Sequence, residues 1–404
     1  MACHICSSQR LAPVIEMGHH PPSDGFLEER ALAEAQTLYP LTVVRCEACD
    51  LVQLDYVVDD DVLFSDDFLF RTAHNHTLKT HFEDLVAELR SVADLKPGEF
   101  VVDIGSNDGT LLANYPDDVD VLGIEPSRPS EIALEEGIPT RRAFFSRELA
   151  DEIVDQHGRA KIVTCTNVLA HAGDLHSFLD GVDRLLDDDG VFVQESQYLL
   201  DLLAQLQYDN IYLEHRRYYS LRSLLNLHER IGLDVVRAER VETQGGSIKT
   251  VAARPGVYDP DGSVQRLLDR EVEHGIHDPS ELDAFAARAN ANRIELLDTL
   301  TTLRSEGNRI VGVGAAAKGV SRLNYCNIGP ELVEYVAEIN EYKVGMYTPG
   351  THIPVVSEET MLEDDPDYAL LLAWNLEDVI VPKLRQCGFE GAFIVPTPSV
   401  RFVE

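Results

Sequence analysis

The sequence predicts an α/β protein in which a small cysteine-held module precedes alternating strands and helices, and three stretches carry that prediction. Residues 101–109, VVDIGSNDG, read as a strand, a glycine turn and a helix start. Residues 310–319, IVGVGAAAKG, repeat the same plan two hundred residues later. Ahead of both lie two C-x-x-C pairs forty residues apart, Cys3/Cys6 and Cys46/Cys49. Length agrees, because 404 residues hold two or three domains with cores of their own.

Taken in order, the four cysteines come first. Each C-x-x-C knuckle chelates from a tight turn, and tetrahedral zinc takes four soft ligands, so Cys3, Cys6, Cys46 and Cys49 are expected to hold one structural Zn per chain. A closed sulfur shell leaves no position for substrate. Cys165, Cys326 and Cys387 stand singly in apolar surroundings and read as core or helix residues. Residues 17–26 are rich in Gly, His, Pro and Ser and read as loop, with His19 and His20 on the surface. The acidic runs at 59–61 and 66–67 read as a solvated connection. Leu78, Phe82, Leu85, Val86 and Leu89 then recur at helical spacing, with Pro97 as punctuation.

From residue 99 to 254 short apolar strands (101–104, 119–124, 161–166, 190–195) alternate with helical stretches such as 131–136 and 175–186. That pattern predicts a doubly wound, mostly parallel sheet. Open sheets of this kind bind ligands beyond the carboxyl ends of their strands. Asp103, Gly105, Ser106, Asn107 and Gly109 line one such end, and Glu125 ends the next strand at the distance of a ribose-hydroxyl acceptor. Asn167, His171 and residues 195–198 share the crevice. The spacing here is D-x-G-x-x-x-G rather than the dinucleotide G-x-G-x-x-G, and it resembles the first motif of S-adenosylmethionine-dependent methyltransferases. The competing reading is a plain tight turn. Phe144 and Phe145 read as core, with flanking of an adenine as the alternative.

Residues 254–260 form a boundary, and helical stretches follow over 264–304. The second glycine turn then offers Gly312 and Gly314, with Glu338 ending the next strand. Alone it supports a rival function, an NAD-dependent oxidoreductase. Lys318 reads as a surface lysine, with contact to substrate phosphates as the alternative.

Composition excludes some partners. With 70 acidic against 34 basic side chains the net charge is −36, which argues against nucleic acid. Only seven of the basic residues are Lys, a bias that fits a host with a high-salt cytoplasm. No apolar run reaches the length of a membrane span and no signal-peptide pattern opens the chain, so a soluble cytoplasmic protein without membrane partners is expected. Anionic substrates must therefore be met by locally placed cations or helix N-termini.

The second chemical constellation is residues 210–220, NIYLEHRRYYS. Tyr212, Glu214 and His215 put a phenol, a carboxylate and a base of near-neutral pKa within four residues. Packing at a helix start is the bland alternative.

Together these stretches resemble the zinc-containing nucleotide-sugar C-methyltransferases, the deoxysugar 3-C-methyltransferases among them. The likeness runs nearly end to end, through CHICSS, YPLTVVRCEACDLVQL, LFSDDFLFRTAHNHTLKTHF, VVDIGSNDG, NVLAHAGDL, YDNIYLEHRRYYSL, QGGSIK, GVGAAAKG and NEYKVGMYTPGTHIPV. It implies a zinc module (1–58), a helical connection (59–97), an S-adenosylmethionine domain (98–254) and a C-terminal Rossmann-like domain (255–404) that is not itself a cofactor site. It also implies a nucleotide-linked keto-deoxysugar as substrate, held between the parts, with His215 as general base, Tyr212 and Glu214 in the matching motif, and His171 near the sugar. Any other small acceptor is the alternative, as is a non-catalytic sugar-nucleotide binder, which the intact base motif disfavours. Four positions depart from the family pattern: Phe68 and Phe70 replace tyrosines, and Leu213 and Gln244 replace histidines. Each removes a polar group that a sugar-binding site uses for discrimination.

Overall fold

Residues 1–64, 72–74 and 76–404 are described by the computed structural model, and within them the chain builds three sheets. Phe68, Phe70 and the acidic pair at 66–67 lie outside the described residues. The N-terminal sheet is an antiparallel meander of β1 (Leu11–His20), β2 (Tyr39–Cys46) and β3 (Val52–Leu54). Here the expected loop over 17–26 is corrected: β1 runs on to His20. Ile15 and Met17 are buried with an exposed residue between them, so the alternation of a half-buried strand outweighs the loop-like composition. Gly18, at φ +90°, lies in the register shift between Glu16 and His19, where a bulge takes up the residue that composition reads as a turn. His20 is buried rather than on the surface, its Nε2 bonded to the Met17 carbonyl.

The central sheet contains β4 (Phe100–Ile104), β5 (Asp120–Ile124), β6 (Thr140–Arg141), β7 (Ala160–Thr166) and β8 (Leu186–Gln197). The two-residue strand β9 (Arg217–Tyr218) leaves this domain and pairs antiparallel with β3, closing the N-terminal sheet. β10 (Asp234–Val241) and β11 (Ser247–Ala253) complete the order β10-β11-β8-β7-β4-β5-β6. From β6 to β8 the pairs are parallel, while β11 and β10 are antiparallel, so the sheet is mixed at one edge. Helix Leu175–Leu185 shows why these segments fold as they do. Asp174 caps it by accepting from the Ser177 amide, and Leu175, Phe178, Leu179, Val182 and Leu185 form one buried stripe. Helix His76–Val92 buries Leu78, Phe82, Leu85, Val86 and Leu89, the residues whose spacing predicts it.

Helices Ser263–Glu273 and Pro279–Ser305 lead to the third sheet. Its strands are β12 (Ile310–Val313), β13 (Val336–Glu338), β14 (Val355–Ser357), β15 (Tyr368–Leu371), β16 (Ala392–Val395) and β17 (Arg401–Val403). The order is β14-β13-β12-β15-β16-β17, parallel except for β17. This domain is locked to the central one by a buried ion pair, Arg322 to Asp209 at 2.8 Å, both side chains without solvent exposure. Cys165 and Cys326 are core residues as expected, but Cys387 is exposed, at the end of helix Glu377–Gln386.

Candidate active site

The four cysteines of the knuckles converge. Their Sγ atoms all lie within 4.8 Å of one another, with Cys3 to Cys49 at 3.4 Å and Cys6 to Cys46 at 3.6 Å. A tetrahedron with Zn–S bonds of about 2.3 Å has edges of roughly 3.8 Å, so the set fits one zinc ion. The turns make this possible: Ser7 and Asp50, both at positive φ, close hydrogen bonds from their amides to the carbonyls of Cys3 and Cys46. The contact with Cys49 holds the Cys3 thiol below the ordinary thiol range. His19 and His20 are not in the set.

At the carboxyl end of β4 the turn of residues 105–109 bends back beneath β5. Asp103 is buried, accepts from the Thr164 hydroxyl at 2.6 Å, and is raised to about 7 by burial. Gly105 sits at φ +75°, and a Cβ there would lie 2.1 Å from Val168 Cγ2. Only glycine fits. Asn107 takes φ +51°, and its amide donates to Glu125 at 3.0 Å. Glu125, beside it at the end of β5, also accepts the amide and hydroxyl of Ser127, which leaves lone-pair capacity on its carboxylate. Ser106 Oγ is buried without a partner among the described residues, the kind of orphan that a bound ligand satisfies. Asn167, at φ +57°, donates its amide to the Glu195 carbonyl, which continues the β7–β8 ladder one residue past the end of β7. These residues fit a nucleoside-bearing cofactor. Glu195 is itself held by two residues that sequence reasoning missed, His81 at 2.7 Å and Thr243 at 2.6 Å. They come from 114 and 48 positions away, with no local pattern to mark them. Phe145 packs on Phe178 as core, whereas Phe144 is exposed.

The Tyr212–His215 stretch crosses from the central domain to the N-terminal sheet. Between residues 211 and 220 only Tyr212 and His215 escape full burial, so these two face the cleft. His215 Nδ1–H donates to the Asn210 carbonyl at 2.9 Å, which fixes the tautomer and leaves a lone pair on Nε2. The Tyr212 hydroxyl donates to that Nε2 at 2.8 Å, and the two rings stack at 4.0 Å. Burial holds His215 well below the usual imidazole range, with His171 and Lys318 adding to the effect. His171 lies 4.9 Å away, ring to ring. Its Nδ1–H donates to the Glu214 carbonyl at 2.7 Å, and burial lowers its pKa to about 4, so it too presents a lone pair. Glu214's carboxylate turns away from the cleft. It accepts the Ser23 amide at 2.7 Å, the Ser23 hydroxyl at 3.1 Å and the Asp24 amide at 3.4 Å, and burial raises it to about 7. Glu214 therefore positions the site through its backbone and its grip on the N-terminal module.

The departures from the family pattern fall unequally. Leu213 is fully buried in the apolar core and touches no cleft, whereas Gln244 is half-buried at φ +55° beside Thr243. The second glycine turn is closed by its own chain, since a Cβ at Gly314 would lie 2.8 Å from Ala373 Cβ. Glu338 accepts the amides of Ala315, Ile339 and Asn340, the same number of donors that Glu125 takes in the first turn.

Three known families match parts of the chain. Residues 3–64 match a zinc binding domain family, residues 74–238 a methyltransferase domain, and residues 242–398 a C-methyltransferase C-terminal domain. The C-methyltransferase NovU of Streptomyces niveus is 33% identical over 406 residues, covering 99% of this chain and 96% of that protein. Among solved structures, the magnesium protoporphyrin IX methyltransferase ChlM of Synechocystis PCC 6803 with bound SAM aligns to 44% of this chain and 79% of its own, at 16% identity and a TM-score of 0.34. An S-adenosylmethionine-dependent methyltransferase of Clostridium acetobutylicum aligns to 44% of this chain and 92% of its own, at 14% identity and a TM-score of 0.36. On a relative matched along nearly its whole length, and on four cysteines gathered for zinc, the chain belongs to the zinc-containing, S-adenosylmethionine-dependent C-methyltransferases.

Proposed function

We propose that this enzyme methylates a carbon of a nucleotide-activated keto-deoxysugar through an enolate, with His215 as the general base. The observation that carries the reading is His215 itself: neutral, fixed in one tautomer by Asn210, and presenting Nε2 beside the Tyr212 hydroxyl. Carbon becomes a nucleophile only when the neighbouring carbonyl takes up its electrons, so the reaction needs a base for the α-proton and donors for the oxygen.

Burial keeps His215 neutral at neutral pH. As the substrate carbonyl enters, the Tyr212 O–H turns from Nε2 to that oxygen, which frees the single Nε2 lone pair. Nε2 then takes the α-proton while the C–H electrons pass to the carbonyl oxygen that Tyr212 now holds. His171, with its Nδ1–H held by Glu214, offers Nε2 as an acceptor for a sugar hydroxyl. Asp103, Gly105, Ser106, Asn107, Gly109, Glu125 and Asn167 would hold the cofactor. S-adenosylmethionine, when bound, supplies a methyl group on a positively charged sulfur that leaves as a neutral thioether. Zinc stays outside this chemistry, in its four-sulfur shell.

The test is a panel of keto-deoxysugar nucleotides incubated with labelled S-adenosylmethionine, the methylated atom being located by NMR. Methylation of a carbon beside the ketone is expected. Transfer only to a hydroxyl or amine acceptor would overturn the reading.

A further inference from the structure

We propose that Lys318, contributed by the C-terminal domain, is the cationic contact for an anionic oxygen of the acceptor substrate in the cleft beside His215. This rests on the function proposed above and adds a residue to its site.

The helix Ala317–Cys326 docks on the segment that leads into the Tyr212–His215 motif. Ser321 Oγ donates to the Ile211 carbonyl at 2.6 Å, and Arg322 reaches the Tyr208 hydroxyl at 2.7 Å and Asp209 at 2.8 Å. Tyr325 packs its ring 5.4 Å from that of Tyr208. Positions 318, 321, 322 and 325 are spaced i, i+3, i+4 and i+7, so Lys318 lies on this docked face, one turn nearer the helix start. Its charge is felt at His215, where it helps hold the imidazole neutral.

What sets Lys318 apart is the lack of an anion. Five of the other six lysines, Lys96, Lys161, Lys249, Lys343 and Lys383, are ion-paired, and Lys79 is exposed on its helix. Among the described residues Lys318 has neither an ion pair nor a hydrogen bond, and it lies with Nζ 5.8 Å from the centre of the Trp374 ring. In a chain carrying 70 acidic side chains that is not the default. The nearby carboxylate of Asp209 has its Oδ2 engaged by Arg322 and by the Trp374 indole N–H at 2.7 Å, and its Oδ1, without a hydrogen-bond partner among the described residues, makes no ion pair with Lys318. No side chain caps the helix start, so its unpaired amides add positive potential at the same place.

The donors of the cleft complete the argument. His215 and His171 both present lone pairs, and the Tyr212 hydroxyl has a single proton to give, which the substrate carbonyl takes up. A substrate with a diphosphate, or with a keto oxygen gaining charge, brings negative oxygen to a site whose neutral groups mostly accept. Lys318 supplies the missing charge.

The experiment uses the full-length, zinc-loaded enzyme with the sugar nucleotide it methylates. Lys318→Met should fold as the wild type does, since no bond is removed, and should lose ~10²-fold in kcat/KM, as for removal of one oxyanion donor. Lys318→Arg should recover most of the loss. A rise in KM with equally weakened binding of the corresponding nucleoside diphosphate assigns the oxygen to the diphosphate. A fall in kcat and in α-proton exchange together, with diphosphate binding unchanged, assigns it to the enolate. Should the Met variant fail to fold, Lys318→Gln replaces it. An active wild type matched by the uncharged variant in all these readouts overturns this proposal alone, whereas a wild type inactive on every sugar nucleotide overturns the parent reading with it.

Discussion

Replacing His215 by Ala is the sharpest test of the proposed chemistry, because the structure separates this side chain from everything that would bind the cofactor. Among the described residues the imidazole bonds only to Asn210 and Tyr212, and neither belongs to the 101–109 turn or to Glu125. The variant should therefore bind S-adenosylmethionine with wild-type affinity, measured by calorimetry. Its methyl transfer should fall by the contribution of a general base, ~10²–10⁴-fold, equivalent to about 3–5 kcal/mol of barrier. The decisive assay is exchange of the sugar's α-proton in deuterated water without the methyl donor, which isolates proton removal from transfer. Exchange should fall by the same factor as turnover. If the variant exchanges that proton at the wild-type rate, His215 is not the base, and Tyr212, 2.8 Å away, becomes the residue to test.

Three further outcomes are expected. Glu214 has its pKa raised from 4.5 to about 7 by burial, so the folded state holds a proton that the unfolded state releases. The stability this contributes is complete below about pH 4.5 and is lost as pH rises through about 7, a difference of about 3 kcal/mol. In Glu214→Gln, urea unfolding at pH 5 and pH 8 should show that difference shrink, and an unchanged difference would discard the assignment. Gly105→Ala places a Cβ against Val168 at positive φ and should weaken S-adenosylmethionine binding at least tenfold while zinc content stays at one per chain; wild-type binding would show that the turn is not the cofactor site. Cys46→Ser should lose the metal by elemental analysis and loosen the residues before about 58 in hydrogen exchange while β4–β8 stay protected. Metal-free protein with wild-type protection would sink the zinc assignment.

What could be read from the sequence was whatever is local. The turn at 101–109 encodes its own geometry, and Tyr212 and His215 meet because they are three residues apart. The strands β4, β5, β7 and β8 announce themselves as apolar runs. Pairings that close over long distances left no such trace. Glu214 finds Ser23 across 191 positions, and Arg322 finds Asp209 across 113. Nothing near Glu214 tells that its carboxylate is turned away from substrate. β1 failed differently: Gly18 and its histidines have loop composition, and only the bulge in register with β2 shows how a strand accommodates them.

The β3–β9 pairing bears on how such an enzyme can be taken apart or recombined. β9 begins two residues after His215, and it is a strand of the N-terminal sheet. Ser23 and Asp24 grip Glu214 from the same side, and Arg216 donates to the Val58 carbonyl at 2.6 Å. The metal module thus acts as a jig for the residues on either side of His215, the proposed base. A chimera that exchanges residues 1–58 between relatives would have to carry residues 210–220 across with them. A graft cut at the apparent domain boundary would separate the workpiece from its clamp.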